Sequence, residues 1–137
     1  MKGQDGKVRS IMTKDIVTVL PNTSIVEVSR IMLQKHIRCV LVCDDDRNLK
    51  GIITDSDLVF GTAGKGQKGL KLPVSEMMTE DPATISPNAD IYEAVAVMSE
   101  KSCRRVPVVK DGRVVGIISI RDVIRSILKN IGNQKFG

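Results

Sequence analysis

Tryptophan is absent, tyrosine occurs once and phenylalanine twice, so aromatic side chains make up only 2% of the chain. A surface that stacks on unpaired bases needs such rings, so recognition of single-stranded nucleic acid is disfavoured. Histidine also occurs once, as His36, with no cysteine or acidic cluster beside it. Zinc binding then lacks a ligand set, and Cys–His catalysis lacks a placed base. The three cysteines are odd in number and include no C-x-x-C pair. Cys39, Cys43 and Cys103 sit in or beside apolar runs, where they read as small buried hydrophobes rather than a disulfide framework. No apolar run approaches the ~20 residues of a membrane-spanning helix, and "MKGQDGKVRS" lacks the apolar stretch of a signal peptide. The expectation is a soluble, cytoplasmic protein. With neither a nucleophile–base pair nor a metal constellation, it is not read as an enzyme.

What is present is aliphatic. Apolar residues reach 42% of the 137, so a real interior exists and must be built from Ile, Val, Leu and Met. That length suits one compact domain or two small halves sharing a core. The net charge of +5 permits nucleic acid as a partner and equally suits a small anionic ligand. No concentrated basic helix favours the former.

The chain is written twice. "VRSIMTKDIVTVLPNTSIVEV" at 8–28 lies over "VSEMMTEDPATISPNADIYEA" at 74–94 without a gap, and Met12-Thr13 matches Met78-Thr79. "HIRCVLVCDDDRNLKGIIT" then aligns with "SCRRVPVVKDGRVVGIIS" once one residue is dropped in the polar turn. The halves are assigned as 8–60 and 74–130, joined by a Gly- and Lys-rich linker at 61–73. Each half reads as β-α-β-β-α, giving an α/β fold. A short β-prone piece leads through Pro-Asn to a helix whose start is marked by Ser24 with Glu27, and by Asp90 with Glu93. Ile25, Val28 and Met32 fall on one helical face, as do Ile91, Val95 and Met98. Two strands follow, the second ending in Gly-Ile-Ile, and a closing helix starts near Ser56 or Arg121. The G-x-G-x-x-G at Gly64, Gly66 and Gly69 follows a helix and runs toward Pro73, the reverse of the strand-then-helix setting a pyrophosphate cradle needs.

Thr54-x-x-Asp57 and Ser119-x-x-Asp122 recur at the same place in both halves. A hydroxyl followed three residues later by an acid is a helix-start signature. It is also fitted to a nucleotide. A helix N-terminus suits phosphate, an Asp carboxylate accepts hydrogen bonds from a ribose diol, and Arg121 adds an anion partner. Taken singly, the capping reading stands ahead of the binding one; the two are compatible.

With its Met-Thr openings, "RRVPVV" and the repeated G-I-I-[ST]-x-x-D, the duplicated unit resembles a tandem pair of CBS domains, together called a Bateman module. The resemblance covers nearly everything but the tails and linker. It implies two β-α-β-β-α units packed about a pseudo-twofold axis, with two clefts that bind AMP, ADP, ATP or S-adenosylmethionine and no required cofactor. It implies one cleft built from Ile52, Thr54, Ser56 and Asp57 with Ala83, Arg104 and Arg105. The other combines Ile117, Ser119, Arg121 and Asp122 with Val17, Arg38 and Cys39. The aspartates would hold ribose, and Thr54 or Ser119 with nearby arginines would face phosphate. Main-chain groups beside Ala83 or Val17 would read the adenine edge. The copies differ: Ser56 stands where the other has Arg121, and Leu41 where the other has Pro107. The clefts are therefore expected to differ in affinity, the one with Arg121 and Arg38 having the better complement for phosphate unless those arginines are merely solvated or ion-paired. The resemblance further implies a homodimer acting on a regulated protein partner. The rival readings are an assembly module with empty clefts and, below it, a nucleic-acid-binding accessory protein.

Overall fold

The computed structural model describes residues 5–133. It divides into two compact units that are out of phase with the sequence repeat. One runs from Ile16 to Pro82. The other joins the segment up to Asp15, including a short helix α1 (Val8–Ile11), to the chain from Ala83 onward.

The first unit runs β1 (Thr18–Val19), α2 (Ile25–Lys35), β2 (Cys39–Cys43), β3 (Leu49–Thr54), α3 (Asp55–Lys65), two 3-10 turns and β4 (Thr79–Glu80). The four strands form one sheet in the order β1-β2-β3-β4, with β1 parallel to β2 and the other pairs antiparallel. Alternation along the strands sends Val40, Val42 and Ile53 to one face. There they meet Ile25, Val28 and Met32 of α2, Leu58 of α3 and Val74 in a single apolar cluster. Ser24 caps α2 as its spacing with Glu27 indicates, accepting from the Glu27 amide at 3.2 Å. The helix ends at His36 in the left-handed conformation, φ 54°. The only histidine is thus an exposed helix terminator.

The second unit repeats the plan with thinner edges. After α4 (Ile91–Lys101), β5 (Arg105–Lys110) and β6 (Arg113–Ser119) form an antiparallel hairpin that runs into α5 (Ile120–Asn133). In place of full outer strands, Ile85 bridges Val108 in parallel and Thr13 bridges Ile117 antiparallel. The core collects Val8, Ile85, Ala94, Met98, Val106, Val108 and Ile118. Thr13 here does what Thr79 does against β3, where Thr79 faces Ile52. Each copy's Met-Thr opening therefore completes the sheet of the other copy. Gly116 makes this approach feasible, because a Cβ there would lie 2.9 Å from the Thr13 carbonyl oxygen. Outside the sheet the opening is tied down by Lys7 pairing with Asp90 at 2.9 Å and by Arg9 donating to Asn88 at 2.6 Å.

Three local expectations are corrected. Asp90 precedes α4 but makes no side-chain cap, because its carboxylate takes the Lys7 ammonium instead. The inner face of α4 is Ala94 and Met98, whereas Val95 is 41% exposed. The 61–73 stretch is no open linker: α3 continues to Lys65 and a 3-10 helix follows from Gly66 to Lys71. Gly64 and Gly66 close α3, where carbonyls rather than amides are offered, and Gly69 lies inside the 3-10 helix, so the motif does not open an α-helix as a phosphate cradle requires.

Candidate ligand-binding site

The sheet register assembles most of the singled-out residues within each unit. In the first, Cys39 is the cross-strand partner of Thr54, and the Asp55 amide donates to the Arg38 carbonyl at 2.8 Å. Val17 lies at the other flank of β2, its carbonyl accepting from Leu41. Ile52, Thr54, Ser56 and Asp57 follow along β3 into the first turn of α3. In the second, Arg105 faces Ser119 and the Ile120 amide donates to the Arg104 carbonyl at 2.9 Å. Ala83 opens the segment that reaches Ile85, and Ile117, Ser119, Arg121 and Asp122 run from β6 into α5. Each unit thus sets an arginine-bearing strand start beside a hydroxyl–Asp helix start. Arg38, Arg104 and Arg121 are exposed and Arg105 is half-buried. None of the four is ion-paired among the described residues.

Both helix starts are reciprocal capping boxes. The Asp57 amide donates to the Thr54 hydroxyl at 3.2 Å, and the Thr54 amide donates to Asp57 Oδ2 at 2.9 Å. Ser119 and Asp122 repeat this at 3.2 and 2.8 Å. The capping reading of the sequence is therefore realised twice. It occupies one carboxylate oxygen in each box and leaves the other for something else.

What that second oxygen does differs between the units. Asp57 Oδ1 has no hydrogen-bond partner among the described residues. No buried side-chain oxygen goes unpaired among the described residues, so Oδ1 is accessible to solvent. Asp122, by contrast, is only 6% exposed. Its Oδ2 also accepts from the Ser119 hydroxyl at 3.0 Å. Its Oδ1 accepts from the Thr13 hydroxyl at 3.4 Å and lies 3.7 Å from Arg125 Nη1. Sequence reading singled out neither Thr13 as a side chain nor Arg125. The only available hint was the i, i+3 spacing of Asp122 and Arg125.

Elsewhere, Cys43 is buried in β2 and burial pushes its thiol up from the ordinary value. No group of His, Cys, Asp and Glu among the described residues is arranged to hold a metal ion. Nor is any described helix long and apolar enough to cross a membrane.

The sequence model of the CBS domain matches residues 8–62 and 74–129. The chain is 32% identical over 123 residues to the CBS domain-containing protein YhcV of Bacillus subtilis, covering 90% of this chain and 86% of that one. Among solved structures, the CBS domain pair of protein MJ0100 in complex with 5′-methylthioadenosine and S-adenosyl-L-methionine is 30% identical with a TM-score of 0.81, covering 90% of this chain and 97% of that chain. CBSX2 in complex with AMP is 28% identical with the same TM-score of 0.81, again covering 90% of this chain and 97% of that chain.

Proposed function

The chain belongs to the CBS-domain family, whose paired units are regulatory, non-catalytic ligand-binding modules, and on that footing we propose that it binds an adenosine ligand at its hydroxyl–Asp helix starts. AMP, ADP, ATP and S-adenosylmethionine are the candidates, and ligand binding biases a regulated protein partner. The observation that carries this reading is Asp57. One of its oxygens is fixed by the cap while the other faces water at the N-terminus of α3. A ribose diol supplies two donors for such a carboxylate. The Thr54 hydroxyl, which accepts from the Asp57 amide, keeps its own proton for a phosphate oxygen. Arg38, which the resemblance would group with Asp122, lies instead beside this same turn and makes no ion pair among the described residues, a guanidinium suited to phosphate. Binding acts on the partner only through differential affinity for the module's conformations.

A thermal-shift panel with these ligands on the wild-type chain and on Asp57→Ala tests the reading. A ligand at a hundred times its dissociation constant stabilises the fold by about 2.7 kcal/mol, and Asp57→Ala abolishes the shift. Silence from the whole panel turns the reading to the second one, an assembly module. That alternative has its own support. Leu33, Val59, Phe60, Tyr92 and Leu128 stand largely in water on the helices, as faces that a second copy of the chain would cover in a homodimer.

A further inference from the structure

We propose that the Asp122 turn is held shut by Thr13 and Arg125, so that the chain takes its adenosine ligand at the Asp57 turn alone. The inference rests on the functional reading above and deepens it. A carboxylate offers about four acceptor positions. At Asp122 three donors converge on them, the Ser119 amide at 2.8 Å, the Ser119 hydroxyl at 3.0 Å and the Thr13 hydroxyl at 3.4 Å, and the Arg125 guanidinium adds an ion pair at 3.7 Å. At Asp57 a single donor is present among the described residues, the Thr54 amide. A ribose diol arriving at Asp122 must displace existing donors from a side chain that is 6% exposed, whereas at Asp57 it meets a wet oxygen.

The repeat supplies an internal control. Phe60 occupies the place in the first copy that Arg125 holds in the second, so Asp57 lacks a cation one turn along its helix. Thr79 is the counterpart of Thr13 and sits on the same row of its sheet, yet its hydroxyl makes no bond to Asp57. Ser119 spends its hydroxyl proton on Asp122, whereas the Thr54 hydroxyl only accepts. Sequence alone favours the second turn for phosphate on the strength of Arg121 and Arg38. The state of the carboxylate favours the first for ribose. Thr13 and Arg125 act as positioning residues, deciding whether Asp122 is available.

The test has two readouts. Isothermal titration with AMP gives one site per wild-type chain and none for Asp57→Asn. Thr13→Val with Arg125→Gln raises the stoichiometry to two, Arg125→Gln alone provides the same release without touching the opening segment, and Thr13→Ser, which keeps the hydroxyl, stays at one. Two sites in the wild type, or one in both releasing variants, overturns the proposal. The second readout needs no ligand. Urea midpoints for Thr13→Val, Asp122→Asn and the pair give a cycle, in which the double variant loses less than the two singles summed. Strict additivity overturns the latch whatever AMP does. Coupling without AMP binding to any variant keeps the contact, removes the nucleotide reading and takes the proposal with it.

Discussion

Asp44 heads the turn between β2 and β3, and its carboxylate accepts from the Asn48 side chain at 3.0 Å and from the Asn48 and Asp46 amides, each at 2.9 Å. These bonds, the Asn48 side chain first, hold the carboxyl below its ordinary value. A depressed carboxyl contributes stability that is complete above the unfolded value of about 3.9 and is lost as pH falls through the lower folded one. Asn48→Ala is therefore expected to move the Asp44 titration upward, read from its carboxyl-carbon resonance; an unmoved midpoint would show that the turn is not the cause. Contacts of this kind, a few residues apart, are legible in a sequence because geometry follows from spacing. The Thr54–Asp57 and Ser119–Asp122 caps are the clearest case. Thr13 meeting Asp122 across 109 positions is not, since only the finished sheet brings them together. The approach of Arg125 to Asp122 likewise depends on the rotamer it adopts, which spacing does not fix.

Among the elements, the paired inner faces of α2 and α4 were legible, with one slip. Helical spacing allows either i+3 or i+4 after Ile91, and the choice between Ala94 and Val95 depends on what lies opposite. Alignment of the copies places Ala94 on Val28, and the structure buries both. The Gly- and Lys-rich 61–73 stretch misled for a different reason. Composition marks it as loose, but Gly69 is buried and a Cβ at Gly61 would lie 2.6 Å from Met77 Sδ. There the missing side chains serve close packing. The same logic gives a prediction at Gly116, where an added Cβ meets the Thr13 carbonyl at 2.9 Å and Met12 Sδ at 2.8 Å. Gly116→Ala should cost roughly 1–3 kcal/mol, the range for overpacking, read from urea unfolding. Trimming Met12 to Ala should not restore it, because the carbonyl is held in the Thr13–Ile117 bridge. Full recovery would show that the methionine, and not the backbone, sets the spacing.

For the whole molecule, duplication announced the architecture but not the offset between repeat and folded unit. Met12-Thr13 and Met78-Thr79 are the same pair of letters, so nothing in them says which sheet each will join. The structure answers by exchange: Thr13 lies on β6 and Thr79 on β3. A chain beginning at Ile16 should therefore keep amide protection in β2 and β3 while losing it in β5 and β6, which forfeit Val8 from their core and Thr13 from their edge. Equal loss in both hairpins by hydrogen exchange would contradict the division into units. The exchange also bears on inheritance. Once two copies finish each other, neither can be deleted or transplanted without leaving one sheet ragged and one opening homeless. A solitary copy could regain its missing edge only by borrowing it from another molecule. The duplication, begun as redundancy, has become a mutual dependence that selection can no longer undo one half at a time.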